Sequence, residues 1–389
     1  LQVQVQGLAV WQWQLSYQKP ESTKLLRMKK HPIGKHMASE PLNTLTLDPY
    51  AATQRPLAPE ADLRLKEMLA WALLSPSPHN TQPWKWSVAD GVVKLYGDYS
   101  RHLTVCDPDA RELMIGCGSA LEHFLLRLGL EGDPIEFDLF PDASQTDLLA
   151  QVVVGKGKPY ARRPDLVNAM QFRRTNRTAY HGDPMTCSHK NVLAAACAEF
   201  DVHTCWITEK TMRSSLVDLI MRSDREQMAS PEFRKELSKW MRAKGRIGLD
   251  NKDGIPTDLL GQQGIAAYVA PLIVRTFDIG AMQAAADSKL TEGSPDIAVL
   301  FTTSDTKASW FTTGRALARV TLTAMAFGRY SAYMNQPCEV PSSRQLLADL
   351  IRTDGFPQLI IRLGLADPVR PAPRLPVADV LIHSSKGEH

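Results

Sequence analysis

Charge of one sign is what this chain most plainly lacks. Its 45 Lys and Arg stand against 42 Asp and Glu, and the net +3 is spread along 389 residues without runs. No basic stripe of the kind that tracks a phosphate backbone exists, so a nucleic-acid partner is set aside. Cysteine is scarce as well: the six (Cys106, Cys117, Cys187, Cys197, Cys205 and Cys338) form no C-x-x-C pair and no repeated spacing. Neither a zinc site nor a disulfide framework fits that scatter, and reduced core thiols are expected. His181, His189 and His203 have no common face and no carboxylate at ligand spacing, so no metal is expected. No apolar run approaches the ~20 residues that cross a bilayer, and the N-terminus has no signal-peptide pattern. The expectation is a cytoplasmic protein with no membrane partner.

What is present is enough chain for two domains or one duplicated plan. Residues 1–45 have no core-like pattern and are read as an extension, with Met28 as the natural start. Apolar residues at helical spacing, opened by Pro59, predict a helix over 59–74. WKWSV-ADG-VVKLY predicts a hairpin over 84–96, turning on Asp90-Gly91. Asp107-Pro108 reads as a cap and first helical position for a helix that runs through Leu128 and ends on Gly129. Strands IEFDLF and LLAQVVV follow, then a charged, proline-broken linker at 155–165. Beyond it the plan restarts with a helix at 186–199, strand VHTCWIT, a charged helical region at 209–244 and a Gly- and Pro-rich passage. A helix at 264–276, strand DIAVLFT, helices at 305–327 and 342–352 and strand PQLIIRLG complete it. Gly118-Ser119-Ala120-Leu121 and Gly314-Arg315-Ala316-Leu317 share G-x-A-L on two long apolar helices. That repetition is a hint of duplication, or only a close-packing device.

Three stretches carry chemistry. SPSPHNTQPW, residues 75–84, stops a helix abruptly on polar, backbone-rigid residues. QFRRTNRTAY, residues 171–180, places Arg173, Arg174, Thr175 and Arg177 within five positions. Guanidinium forks match phosphate oxygens, although a solvated basic turn is the bland reading. RPAPRLP, residues 370–376, is a rigid arm carrying Arg374. Two decoys are set aside. Gly116-Cys117-Gly118 lies inside a helix and lacks the third glycine of a dinucleotide fingerprint. Ser304-Asp305-Thr306-Lys307 lacks the companion motifs of an S-x-x-K hydrolase, and Asp305 is read as a helix cap.

Together the three stretches resemble the nitroreductase family of FMN-dependent oxidoreductases, in its two-lobed Acg-type subfamily. The resemblance covers residues 55–380. It implies an α+β fold with mixed, mostly antiparallel sheets flanked by helices. Ordinary members place the Arg run before the N-x-Q-P-W block and pair as two identical chains; here the order is reversed. The reconciliation is a fused pseudo-dimer, with residues 46–160 as one half, 161–389 as the other, and a lid insertion at 210–262. One chain is then the functional unit, although further self-association is compatible with it.

By the same resemblance Arg173, Arg174, Thr175 and Arg374 hold the FMN phosphate, and Pro76, Ser77, Pro78 and Asn80 line the ring and ribityl chain, with Gln82 of the same cofactor-binding loop read as its anchor. Arg177 acts on the charge that develops on reduction. A backbone N–H near Met334, Asn335 or Gln336 faces the flavin, and Arg177 and Asn335 carry the catalytic assignment. Trp84 is read as a core residue. The implied activity is NAD(P)H-dependent two-electron reduction of a small-molecule acceptor such as a nitroaromatic or quinone. The alternative is a flavin-sequestering protein. If Gly245, Gly248 and Gly254-Ile255-Pro256 hinge a lid, acceptors enter; if Trp240 packs on the flavin, they do not.

Overall fold

A computed structural model describes residues 44–243, 252–260 and 266–382. The extension read over 1–45 falls almost wholly outside them, as do Gly245 and Gly248. The first half of the described chain contains helices α1 (Pro49–Ala52), α2 (Ala61–Ala72) and α3 (Arg111–Glu131), and strands β1 (Trp84–Ala89), β2 (Val92–Gly97), β3 (Pro134–Leu139), β4 (Leu148–Val154) and β5 (Lys158–Pro159). After it come α4 (Pro164–Met170), α5 (Cys187–Ala198), β6 (His203–Trp206), α6 (Lys210–Ala229), α7 (Pro231–Trp240), β7 (Met241–Arg242), β8 (Ile255–Pro256), α8 (Ala266–Thr276) and α9 (Gly280–Glu292). The chain closes with β9 (Asp296–Thr302), α10 (Lys307–Ala326), β10 (Tyr330–Tyr333), α11 (Gln336–Glu339), α12 (Pro341–Leu350), β11 (Phe356–Gly364) and α13 (Val377–Val380).

Two antiparallel sheets share one plan. The first has strand order β1-β2-β4-β3-β5; the second, read from its far edge, runs β6-β9-β11-β10. In each, a long helix follows the second strand and leads into the third: α3 in one, α10 in the other. These helices cross at their glycines. A Cβ on Gly118 would lie 1.9 Å from the Phe311 carbonyl oxygen, and one on Gly314 would lie 2.0 Å from that of Ile115. Each glycine thus faces the carbonyl three residues before the other, so the contact is reciprocal. The shared G-x-A-L therefore marks a backbone crossing that no other residue type would permit.

Beside the crossing, fully buried Glu122 of α3 accepts from Arg315 Nε at 3.0 Å and Arg319 Nε at 2.6 Å, both on α10. Tyr160 donates to the same carboxylate at 2.8 Å. α3 is long and apolar enough to cross a bilayer, yet 89 % of its most apolar window is buried in protein. It serves as the core helix of the first sheet, packed under Trp84, Trp86, Val93 and Leu149.

Several boundaries differ from the sequence expectation, each for a physical reason. α3 opens at Arg111, because Ala110 adopts φ 60°; Asp107 still caps it, its carboxylate accepting from the N–H groups of Glu112 and Leu113, both at 3.0 Å. The helix ends at Gly132 (φ 78°), while Gly129 is small because the Ala161 carbonyl passes against it. The charged region at 209–244 is two helices, broken where Ser230 caps the Pro231 start of α7. Thr306, and not Asp305, caps α10; Asp305 instead takes a bidentate ion pair from Arg344. α9, α4 and β10 have no counterpart in the sequence reading. Cys187 is exposed and Cys205 half-buried, while the other four thiols are buried.

Candidate functional site

The loop after α2 explains the abrupt stop. Its prolines hold an extended run, then His79 (φ 45°), Asn80 (φ 55°) and Gln82 (φ 53°) all adopt left-handed backbone. Each such residue costs on the order of 1–3 kcal/mol and persists only where surroundings fix it. Here they do. Ser77 Oγ accepts from Gln82 N at 2.9 Å. Asn80 donates to the Gly254 and Pro373 carbonyls at 2.9 and 3.0 Å. Gln82 donates to Lys252 O and accepts from Leu375 N, both at 2.9 Å. One loop thereby ties together the 252–254 segment and the C-terminal arm. His79 is half-buried with its Nδ1 sealed from solvent, and this burial, followed by the charge of Arg177, pulls its pKa down to about 4, so its ring is neutral.

The Arg run reaches the same place by another route. Arg173 N bonds back to Ala169 O at the end of α4, and Thr175 then bridges in parallel to Ser331 of β10. That strand contact aims Arg173, Arg174 and Arg177 toward the loop. Arg374 arrives on the arm and donates to Asn80 Oδ1 at 2.7 Å and to the Leu74 and Ser75 carbonyls.

These elements enclose a cavity of about 480 Å³ of open space whose wall includes Pro76, Ser77, Asn80, Arg173, Arg174, Thr175, Arg177 and Arg374. Tyr50, Leu259 and Arg370, which the sequence reading assigned no role, also line it, as do Gly254, Ile255 and Pro256 of the expected lid hinge. A second cavity of about 360 Å³ shares Pro76 and Ser77 and continues past Pro78 to Glu112, Leu317, Tyr333, Asn335 and Leu359.

The first cavity is electrostatically incomplete. Arg173, Arg174, Arg177 and Arg374 make no ion pair among the described residues. Arg173 Nε and Nη1, Arg174 Nε and Arg374 Nε are buried without hydrogen-bond partners, as is the Tyr50 hydroxyl. Burial pushes the pKa of Arg174, Arg177 and Arg374 down, although guanidinium groups stay charged at neutral pH. Buried cations without anions are costly. A phosphomonoester, with a charge of about −1.5 to −2 and three acceptor oxygens, would satisfy this set.

Not every residue of the sequence reading reaches a cavity. Gln82 anchors the loop from behind. Met334 packs in the core of the second sheet, and its N–H is spent on Ile360 O at 3.0 Å. Gln336 turns away, donating to Asp224 and Asp287 at 3.0 and 2.9 Å. Asn335 alone of those three lines a cavity, held by donation to Glu112 and acceptance from Ile360 N. Trp240 lies in a cluster with Leu103, Cys106, Met228 and Phe233, clear of both cavities, and Trp84 is fully buried in the core. Glu112 went unnoticed because a first-turn acidic residue on a helix is ordinarily a dipole complement.

No family model matches the chain. It is similar to two Mycobacterium tuberculosis proteins named "Putative NAD(P)H nitroreductase". One, Rv3131, is 27 % identical over 329 residues, 83 % of this chain and 92 % of that protein. The other, acg, is 26 % identical over 337 residues, 84 % of this chain and 97 % of that protein. Among solved structures, an FMN- and NADPH-dependent nitroreductase, NfnB, from a Sphigopyxis strain aligns over 57 % of this chain and 99 % of its own. The TM-score is 0.39 at 16 % identity. The resemblance to nitroreductases read from three short stretches thus extends over most of the chain.

Proposed function

We propose that this chain, similar along most of its length to NAD(P)H nitroreductases, binds one FMN and passes reducing equivalents from NAD(P)H to a small-molecule acceptor. The observation that carries the reading is the group of buried arginines without anions. Arg173, Arg174 and Arg374, with Thr175, would hold the phosphate; Pro76, Ser77 and Asn80 would flank the rest of the ligand toward the cavity at Asn335. FMN, when bound, supplies the two-electron chemistry. The chain's own residues supply placement and charge. Arg177, half-buried and without an ion pair among the described residues, favours negative charge developing beside it. Asn335 presents its side-chain amide to the inner cavity, and the apolar Leu317 and Leu359 exclude water from it.

The two sheets of like strand order and the reciprocal glycine crossing support reading the chain as two fused halves, with the site built from both. A nitroaromatic or quinone is the acceptor class the resemblance suggests. The storage reading has its own support: residues 252–260 are clasped over the site. Gly254 N donates to Asn80 O, Asp253 takes Arg101 at 2.8 Å and Arg242 at 2.6 Å, and Arg370 pairs with Asp258. The test is to load the protein with FMN, remove oxygen and add NADPH. Bleaching of the flavin band followed by recolouring with a quinone is expected. A loaded protein that stays yellow would favour storage, and no affinity for FMN would refute both.

A further inference from the structure

We propose that Glu112 is the proton donor of this site, its carboxyl passing one proton to an acceptor held in the inner cavity, with Glu339 and Asp107 as the reserve that restores it. The inference rests on the redox function proposed above. Two-electron reduction of a quinone by a hydride equivalent from NAD(P)H leaves one oxygen anionic. That oxygen takes a proton to complete the hydroquinone: an O–H bond of Glu112 breaks, one forms on the acceptor, NAD(P)H ends as NAD(P)⁺, and the carboxylate regains its proton from the reserve and then from water.

The geometry is specific. Among the described residues Glu112 is the one carboxyl that lines either cavity. It is 7 % exposed, and its Oε1 accepts from Asn335 Nδ2 at 3.3 Å and Arg111 Nη2 at 3.4 Å. Its Oε2 has no hydrogen-bond partner among the described residues. Tyr333, the phenol in the same cavity, is made a poorer acid by burial, and the outer cavity offers guanidinium groups that do not give up protons.

Behind Glu112 stands more acid than base. Asp107 accepts from the N–H groups of Glu112 and Leu113, and Glu339 accepts from Gln227 at 2.6 Å and from the Cys106 thiol at 3.3 Å. The one cation among these carboxyls, Arg111, also serves the Gln358 and Cys338 carbonyls. Full ionisation of three carboxyls around one guanidinium would bury uncompensated negative charge. Burial first, and the charge of Glu112 second, push Glu339 up to about 8 and Asp107 up to about 7. Glu339 and Asp107 therefore favour the protonated form near neutral pH, and together they form the store of protons behind Glu112.

The test compares two acceptors on the FMN-loaded, NADPH-supplied protein: benzoquinone, which needs a proton, and ferricyanide, which takes electrons without one. Glu112→Gln should lower the ratio of quinone to ferricyanide turnover on the order of a hundredfold, the scale of general-acid catalysis. An unchanged ratio overturns the assignment, even if both rates fall. A wild-type protein that reduces neither acceptor overturns the redox reading and this inference with it. Infrared spectroscopy provides a readout independent of turnover. A protonated-carboxyl stretch should be visible at neutral pH, vanish at alkaline pH and weaken in Glu339→Gln; its absence from the wild-type protein would mean there is no reserve.

Discussion

At the scale of single residues the site is defined by charges that lack partners. Arg374→Ala should weaken FMN binding by about 1.5 kcal/mol or more, the low end for a hydrogen bond to a charged group and roughly tenfold in Kd. Riboflavin, which has no phosphate, should bind mutant and wild type nearly alike. Because Arg374 also bonds Asn80 and the Leu74 and Ser75 carbonyls, an equal loss for both ligands would assign it to the loop's architecture. Arg177→Gln should act differently. Its charge matters most when negative charge appears nearby, so the flavin midpoint potential should fall by several tens of millivolts, where ~30 mV corresponds to ~1.4 kcal/mol for two electrons. Dye equilibration of the mutant with FMN still bound measures this, and an unmoved potential removes Arg177 from the redox role.

At the scale of elements, the α3–α10 crossing holds the site's two sides together, since Glu112 projects from α3 and Leu317 from α10. Gly118→Ala would put a methyl 1.9 Å from a carbonyl oxygen of the opposing backbone. The helices would have to separate, at a cost beyond the ~1–3 kcal/mol of ordinary overpacking. Urea denaturation should show the loss for Gly118→Ala and Gly314→Ala alike, as the contact is reciprocal. Glu122→Gln leaves Arg315 and Arg319 buried without their carboxylate, and breaking a buried pair in this way costs ~3–5 kcal/mol. A midpoint within error of wild type would mean that water or Tyr160 compensates.

For the whole molecule, carboxyls whose pKa burial raises, Asp287 among them, set the response to pH. Burial is the first cause that raises Asp107 to about 7, and Asp224 and Glu339 to about 8. A carboxyl whose pKa is raised by folding favours the folded state while protonated. Its contribution is fully present below the ordinary carboxylate range and is lost as pH climbs through the raised value. Tm should therefore decline between pH 6 and pH 9, and Glu339→Gln should flatten that decline; a Tm that rises over this range would contradict the protonation assigned here. Stoichiometry is also a property of the whole. The sequence holds one SPSPHNTQPW loop and one QFRRTNRTAY run, so released flavin should approach one per chain, and a reproducible ratio of two would refute it.

The sequence by itself determined most of the longer strands, the long helices and the arginine- and proline-bearing part of the candidate site's outer wall. Alternation of apolar residues and the Asp90-Gly91 turn fix the first hairpin whatever surrounds it. Prolines and arginines in short stretches announce backbone rigidity and anion chemistry without a structure. Tertiary structure decided what those signals could not encode locally. Whether Gly118 and Gly314 are ordinary helix glycines or a backbone crossing depends on what lies opposite, residues far away in the chain. The same holds for Met334, whose N–H is consumed by Ile360 in a neighbouring strand, and for Gln336, drawn off by Asp224 and Asp287. Glu112 became a candidate only when folding set its carboxyl into a cavity with Asp107 and Glu339 behind it. Proton affinity depends on burial and on neighbours in space, and neither can be read from the order of residues along the chain.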